Sequence, residues 1–129
     1  MTAFYADLYA MFQTFETITS LVGTRIYPGK LAEDAEFPAI VTNRITTTPI
    51  YTHDGVSDLS SKFYQLRTWA LTHEAAVDLA DIIEGILSGY NGGMGSRILG
   101  AVFLLNRIDG YDPETGMGSQ ILDFQFCES

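Results

Sequence analysis

The stretch FYQLRTWALTHEAAVDLADIIEGILSGY, residues 63–90, decides the fold. Its first half alternates with period 2, as a strand does. Its second half repeats apolar residues with the 3.6 period of an amphipathic helix, and the switch falls at Thr72-His73. Thr72 is placed to cap the helix, and Glu74 and Asp78 put negative charge near its positive end. Ala76, Leu79, Ala80, Ile83, Ile86 and Leu87 share one face, and Glu74, Asp78 and Asp81 the other. Gly89 follows the last periodic residue, where a left-handed cap is expected. A helix from about His73 to Ser88 is roughly 24 Å long at about 1.5 Å per residue. The unit reads as a strand that turns directly into the helix covering its own sheet.

Elsewhere the pattern is simpler. Thr2–Phe12 reads as a helix with Phe4, Leu8, Met11 and Phe12 as its apolar stripe, broken by Asp7 and Gln13. Thr14–Val22 reads as a further short helical turn with Phe15, Ile18 and Leu21 inward and Gly23 at its end. Thr24–Pro38 reads as a long irregular connection with an acidic patch at Glu33, Asp34 and Glu36. Strands are expected at Ala39–Thr48, between Pro38 and Pro49, at Leu59–Leu71, at Arg97–Ile108 and at Gly118–Cys127. Ile50–Asp58 and Asp109–Gly118 are dense in turn residues and read as hairpin loops, and Asn91–Gly95 as a flexible connector. The expected fold is α+β in a single domain, residues 1–129. It is an antiparallel sheet of about four strands with two helices on one face, in the order α-β-β-α-β-β.

Strand parity places Tyr64, Leu66, Thr68 and Ala70 toward the helices and Gln65, Arg67 and Trp69 on the helix-free face. The opposite choice buries Gln65 and Arg67 without evident partners, which is costly. The run from Arg97 to Leu105 does not alternate. By parity Ile98, Val102 and Leu104 point one way and Leu99, Phe103 and Leu105 the other. A sheet covered on one face should alternate apolar and polar residues, so one set is left over. In the simplest register it lies beside Trp69 and Ile40. The candidate subunit interface is therefore Ile40, Arg44, Arg67, Trp69, Phe103 and Leu105, with the Thr24–Pro38 segment as the competing cover. Tyr51, His53, Asp54, Gly55, Tyr111 and Asp112 mark the two candidate mobile loops.

Composition excludes several classes. With 129 residues and 47% hydrophobic content the chain can build a core. A net charge of −9 opposes binding nucleic acid through the overall field, although it suits a passage that DNA slides through. The single cysteine, Cys127, rules out an internal disulfide and fits a reducing compartment. No apolar run approaches the roughly 18 residues of a membrane span, and no signal peptide is expected.

Catalytic readings are weak. His73 beside Glu74 is more simply a solvated first-turn histidine, and His53 falls in an expected loop. Two histidines and one cysteine do not make the usual structural zinc set. Gly92-Gly93-Met94-Gly95 follows a helix, the reverse of a phosphate loop's order. Asp109, Asp112 and Glu114 lack calcium-loop spacing. No serine sits in a nucleophile elbow. No cofactor and no enzymatic activity are expected.

Three segments in order carry a resemblance. LVGTRIYPGKL then FPAIV follows the first helices; YQLRTWALTHEAAVDLADII spans the strand-to-helix unit; NRIDGYDPETG precedes LDFQF. Together they resemble the small tail-completion (tail-terminator) proteins of long-tailed bacteriophages, over nearly the whole chain. The resemblance implies a non-enzymatic homo-oligomeric ring, a hexamer, that caps the tail tube and presents the head-joining surface. Implied partners are the tail tube protein, a head-neck connector protein and genome DNA passing through the lumen without specific binding. The implied location is the virion's head-tail junction, with assembly in the host cytoplasm. It also implies that the Tyr51–Asp58 region is mobile before assembly. The competing reading is a cofactor-free, ferredoxin-like α+β dimer acting as an enzyme or ligand-binding module. Its mark would be a closed apolar pocket holding Trp69 and His73.

Overall fold

The computed structural model describes residues 4–52, 55–111 and 115–128, with side chains described outside 46–61 and 111. Among the described residues three helices, α1 (Phe4–Gln13), α2 (Glu16–Val22) and α3 (His73–Leu87), accompany a six-stranded sheet. The strands are β1 (Ile26–Pro28), β2 (Ala39–Thr52), β3 (Gly55–Ala70), β4 (Gly92–Met94), β5 (Arg97–Tyr111) and β6 (Gly118–Glu128). Their spatial order is β1-β2-β3-β6-β5-β4. β1 runs parallel to β2 and the other neighbours pair antiparallel, so the sheet is mixed.

This corrects the expected four-stranded antiparallel sheet with two helices. The four long strands and the two hairpins, β2–β3 and β5–β6, are where the pattern put them. The additions are β1 and β4, each three residues long, inside the stretches read as an irregular connection and a flexible connector. Three residues are too few to display a period of 2. The third helix is α2, which Gly23 ends at a φ of 56°. Within it Ile18 and Val22 are buried, whereas Leu21, expected inward, is exposed.

The hairpins also run further than expected. β2 continues to Thr52 and β3 begins at Gly55, with Tyr51 opposite Val56. β5 continues to Tyr111, opposite Gly118. Pro49 does not end β2, because an edge strand tolerates proline, and the surrounding Thr and Ile residues favour extended backbone. Tyr51, Gly55 and Tyr111 are thus strand residues rather than loop residues. His53, Asp54 and Asp112 lie outside the described residues.

The core lies between the helices and one face of the sheet. Phe4, Leu8, Met11 and Phe12 of α1 and Leu79, Ala80, Ile83 and Leu87 of α3 join Tyr64, Leu66, Leu122, Phe124 and Phe126. Phe4 stacks on Tyr64 with centroids 4.1 Å apart and meets Phe126 edge-on at 5.1 Å. The expected parity of β3 holds: Tyr64, Leu66, Thr68 and Ala70 are buried, and Gln65, Arg67 and Trp69 are half-buried on the other face. Thr68 is a buried hydroxyl with both roles filled. It donates to the Ala76 carbonyl at 3.1 Å and accepts from the Gln120 N–H at 3.1 Å, tying β3 to α3 and β6.

At the start of α3, Thr72 Oγ1 accepts from the Ala75 N–H at 3.1 Å, the expected cap. Thr72→Ala is expected to lower stability by about 1 kcal/mol, the usual worth of such a cap; urea unfolding followed by circular dichroism checks it. The helix start also sits hard against β6. A Cβ at Gly118 would lie 2.6 Å from His73 Cα, so only glycine lets the strand pass there.

α1 is held by a charge cluster that helical periodicity does not reveal. Asp7, read as a break in the apolar stripe, is buried. Its carboxylate accepts from the Ser96 N–H at 2.9 Å, from the Ser96 hydroxyl at 3.0 Å and from Arg97 Nε at 2.7 Å. Arg97 also pairs with Glu128, which lies 3.5 Å from Lys62 Nζ. Burial alone would raise the Asp7 pKa, but the Ser96 and Arg97 contacts outweigh it and hold the carboxyl below its ordinary value of 3.8. Gly95, at a φ of 57°, makes the approach possible, since a Cβ there would sit 2.8 Å from Asp7 Cα.

Candidate functional site

The helix-free face of the sheet divides into a roofed half and a bare half. Over the roofed half, Gly29, Lys30 and Leu31 stand across a cleft of about 220 Å³ from Val41, Asn43, Gln65, Arg67 and Trp69. Val41 lies opposite Arg67 on this face, yet it is buried. Part of the Thr24–Pro38 segment therefore does fold over the face. Arg67 lies with its guanidinium carbon 4.2 Å from the Trp69 ring centroid, and its Nε donates to Ser119 Oγ at 3.2 Å. Gln65 donates to Asp123 Oδ1 at 3.1 Å. These contacts fix the polar residues of β3 and β6 flat against the sheet.

The bare half is β5. Phe103 is 52% exposed, Leu105 52%, Ile108 49% and Ile98 65%. Phe103 stands opposite Gln125, and Ile108 opposite Ile121, which itself faces Arg67 on β3. Four large apolar side chains in water along one strand form an exposed patch of the kind that marks a binding surface.

Two irregularities in β5 explain why its sequence does not alternate. The register shifts between Leu99 and Ala101 and again between Leu104 and Asn106. Each leaves one residue, Gly100 or Leu105, without a partner on β6. The first shift reverses the expected sides at the strand's start. Leu99 is buried with Val102, and Ile98 is exposed with Phe103.

Of the six expected interface residues, Arg67, Trp69 and Phe103 share the helix-free face, and Leu105 is exposed at the second irregularity. Ile40 is a correction: it is opposite Thr68 rather than Trp69, and it is fully buried in the core. Arg44 is opposite Tyr64, so it belongs to the helix-covered side, where it is exposed and its N–H donates to the Tyr5 hydroxyl at 3.0 Å. Ile108 and Ile98 belong to the exposed row and were not singled out from sequence, because their side depends on the two register shifts.

Among the described residues no group of three or more His, Cys, Asp or Glu side chains is arranged to hold a metal ion. His73 lines a separate open cleft with Glu74, Val77 and Asp78 at the start of α3. Trp69 and His73 thus line different clefts, and neither cleft holds both. On the helix side, Arg107 bridges to Asp81 at 2.8 Å and Glu84 at 3.1 Å, closing α3 over β5.

Residues 6–128 match the family described as Tail completion protein gp17, and the chain belongs to that family. It is a structural component of a bacteriophage-type tail. A chain from the solved structure "Virion of native gene transfer agent (GTA) particle" has the same fold, with a TM-score of 0.79 at 14% identity, covering 98% of this chain and 94% of that chain. No curated protein matches the sequence.

Proposed function

We propose that the protein closes the tail tube as a homo-oligomeric ring, a hexamer, and presents the surface to which the head is joined. The tail tube protein lies on one side of the ring and a head-neck connector protein on the other. The role is architectural and needs no cofactor. The observation that carries this reading is the row Phe103, Leu105 and Ile108, exposed along β5 on a sheet whose other face is already covered by helices. Burying one such side chain is worth about 1.5–3 kcal/mol, so a neighbouring subunit gains several-fold from covering the row. The charge of −9 supports passage of genome DNA through the lumen without adhesion. Assembly takes place in the host cytoplasm.

Phe103→Asp, or Ile108→Asp, is expected to weaken each subunit contact by about ten- to a hundredfold, the equivalent of one lost apolar anchor. Light scattering should then show a shift toward monomer, with helical circular dichroism unchanged. If both variants assemble as the wild type does, β5 is not the contact surface.

A further inference from the structure

The two margins of the sheet are left open in complementary ways. On one side, β1 pairs only with Ile40, Val41 and Thr42 of β2, and the Gly29 N–H adds a bond to the Thr42 carbonyl. On the other side, β4 pairs only with Arg97, Ile98 and Leu99 of β5, and the Gly89 N–H reaches the Val102 carbonyl. Beyond these points, and beyond the Arg44 N–H, which donates to the Tyr5 hydroxyl, β2 from Ile45 and β5 from Phe103 have no outer strand among the described residues. Both are long, and each presents a row of backbone N–H and C=O groups on its open side. Such a row is a template for another strand.

The exposed apolar residues concentrate on these same two strands. Of the seven large hydrophobic side chains exposed among the described residues, Ile45 is on β2 and Ile98, Phe103, Leu105 and Ile108 are on β5. The strand directions agree as well. β2, β3, β6 and β5 alternate up and down across the sheet. If a second copy continues the sheet with the same face outward, its β2 lies antiparallel to the first copy's β5, and the alternation is unbroken.

We propose that adjacent copies of this chain join edge to edge, β5 of one pairing antiparallel with β2 of the next, so that the sheet runs continuously around the assembly. This rests on the ring reading above and specifies its contact. The contact is head-to-tail: each copy offers one edge of each kind, and a closed ring leaves neither edge unpaired. The backbone rows satisfy one another, and Ile45 of one copy joins Phe103, Leu105 and Ile108 of the other at the seam. Between Ile45 and Thr48 no proline interrupts the β2 side.

The test is cysteine cross-linking in a Cys127→Ser background. Ile45→Cys is combined in turn with Phe103→Cys, Leu105→Cys or Ile108→Cys, which covers the registers the open stretch allows. Oxidation should give a ladder of linked dimers, trimers and higher species in at least one double variant, while every single variant stays unlinked. Linked dimers from a single variant would overturn the proposal, because they require like edges to meet. Assembled protein, by light scattering, in which no double variant links would overturn the edge pairing and leave the ring intact. Protein that is monomeric at all concentrations would overturn both. Amide exchange of the wild type gives an independent reading: the amides from Phe103 to Asp109 should exchange more slowly in the assembled protein than in the Phe103→Asp variant. Equal exchange would contradict the pairing.

Discussion

Arg97→Ala is expected to destabilise the subunit by about 3–5 kcal/mol, the cost of leaving a buried charge without its partner. Asp7 stays buried in the variant, held by Ser96 alone, and α1 loses its charged tie to β5. Glu128 loses the same cation. The pH dependence identifies the cause. In the wild type Asp7 and Glu128 both titrate below their ordinary values of 3.8 and 4.5. Burial opposes the shift in each, and the hydrogen bonds and the facing cations more than offset it. A carboxylate with a lowered folded pKa adds stability above its unfolded pKa, and that stability is lost as pH falls through the folded value. Removing Arg97 moves both folded pKa values up. The gap between wild type and variant should therefore be full at pH 7 and should narrow as pH falls below about 4.5. Urea unfolding at pH 7 and pH 4 measures it. A gap independent of pH would mean that lost packing against Phe4, whose ring centroid lies 5.4 Å from the Arg97 guanidinium, is the cause.

Leu79→Ala is expected to cost about 2–5 kcal/mol, as for other large-to-small core changes. Leu79 is buried on the face of α3 that carries Ala76, Ala80, Ile83 and Leu87. The flanking alanines have no side chain to swing into the space it leaves, so the cavity persists, and the cost belongs in the upper part of that range. Asp78→Ala on the wet face of the same helix is the control and should change stability by under about 0.5 kcal/mol. Equal effects from the two would mean that the helix does not pack by this face.

The α3 prediction was legible in the sequence, and the reason is length. Fifteen residues give the helical period several turns to repeat, and the capping threonine and the parity of β3 follow from local chemistry. The edges were not legible. Gly92-Gly93-Met94 is a strand only because β5 lies beside it, and no local signal in three residues announces that. Pro49 read as a strand end because proline is excluded from central strands, but the outer side of β2 beyond Arg44 is open.

The candidate surface was half legible for a related reason. Arg67, Trp69 and Phe103 were placed on the correct face by parity alone. Ile40 was not, because a shift of one residue in the pairing of β2 with β3 moves a side chain to the opposite face. The sides of Ile98 and Leu99 were exchanged by the unpaired Gly100. Such shifts are set by the neighbouring strand and leave no mark on local periodicity. Asp7 was missed as an anchor because its partners, Ser96 and Arg97, lie about ninety residues away in sequence.

The most direct measurement of the central claim is the assembly state of the purified wild-type protein, by light scattering across a concentration series with negative-stain images of the same samples. The account predicts a defined oligomer that appears as rings with a central hole. Protein that remains monomeric at high concentration, or that forms only compact dimers, would contradict it.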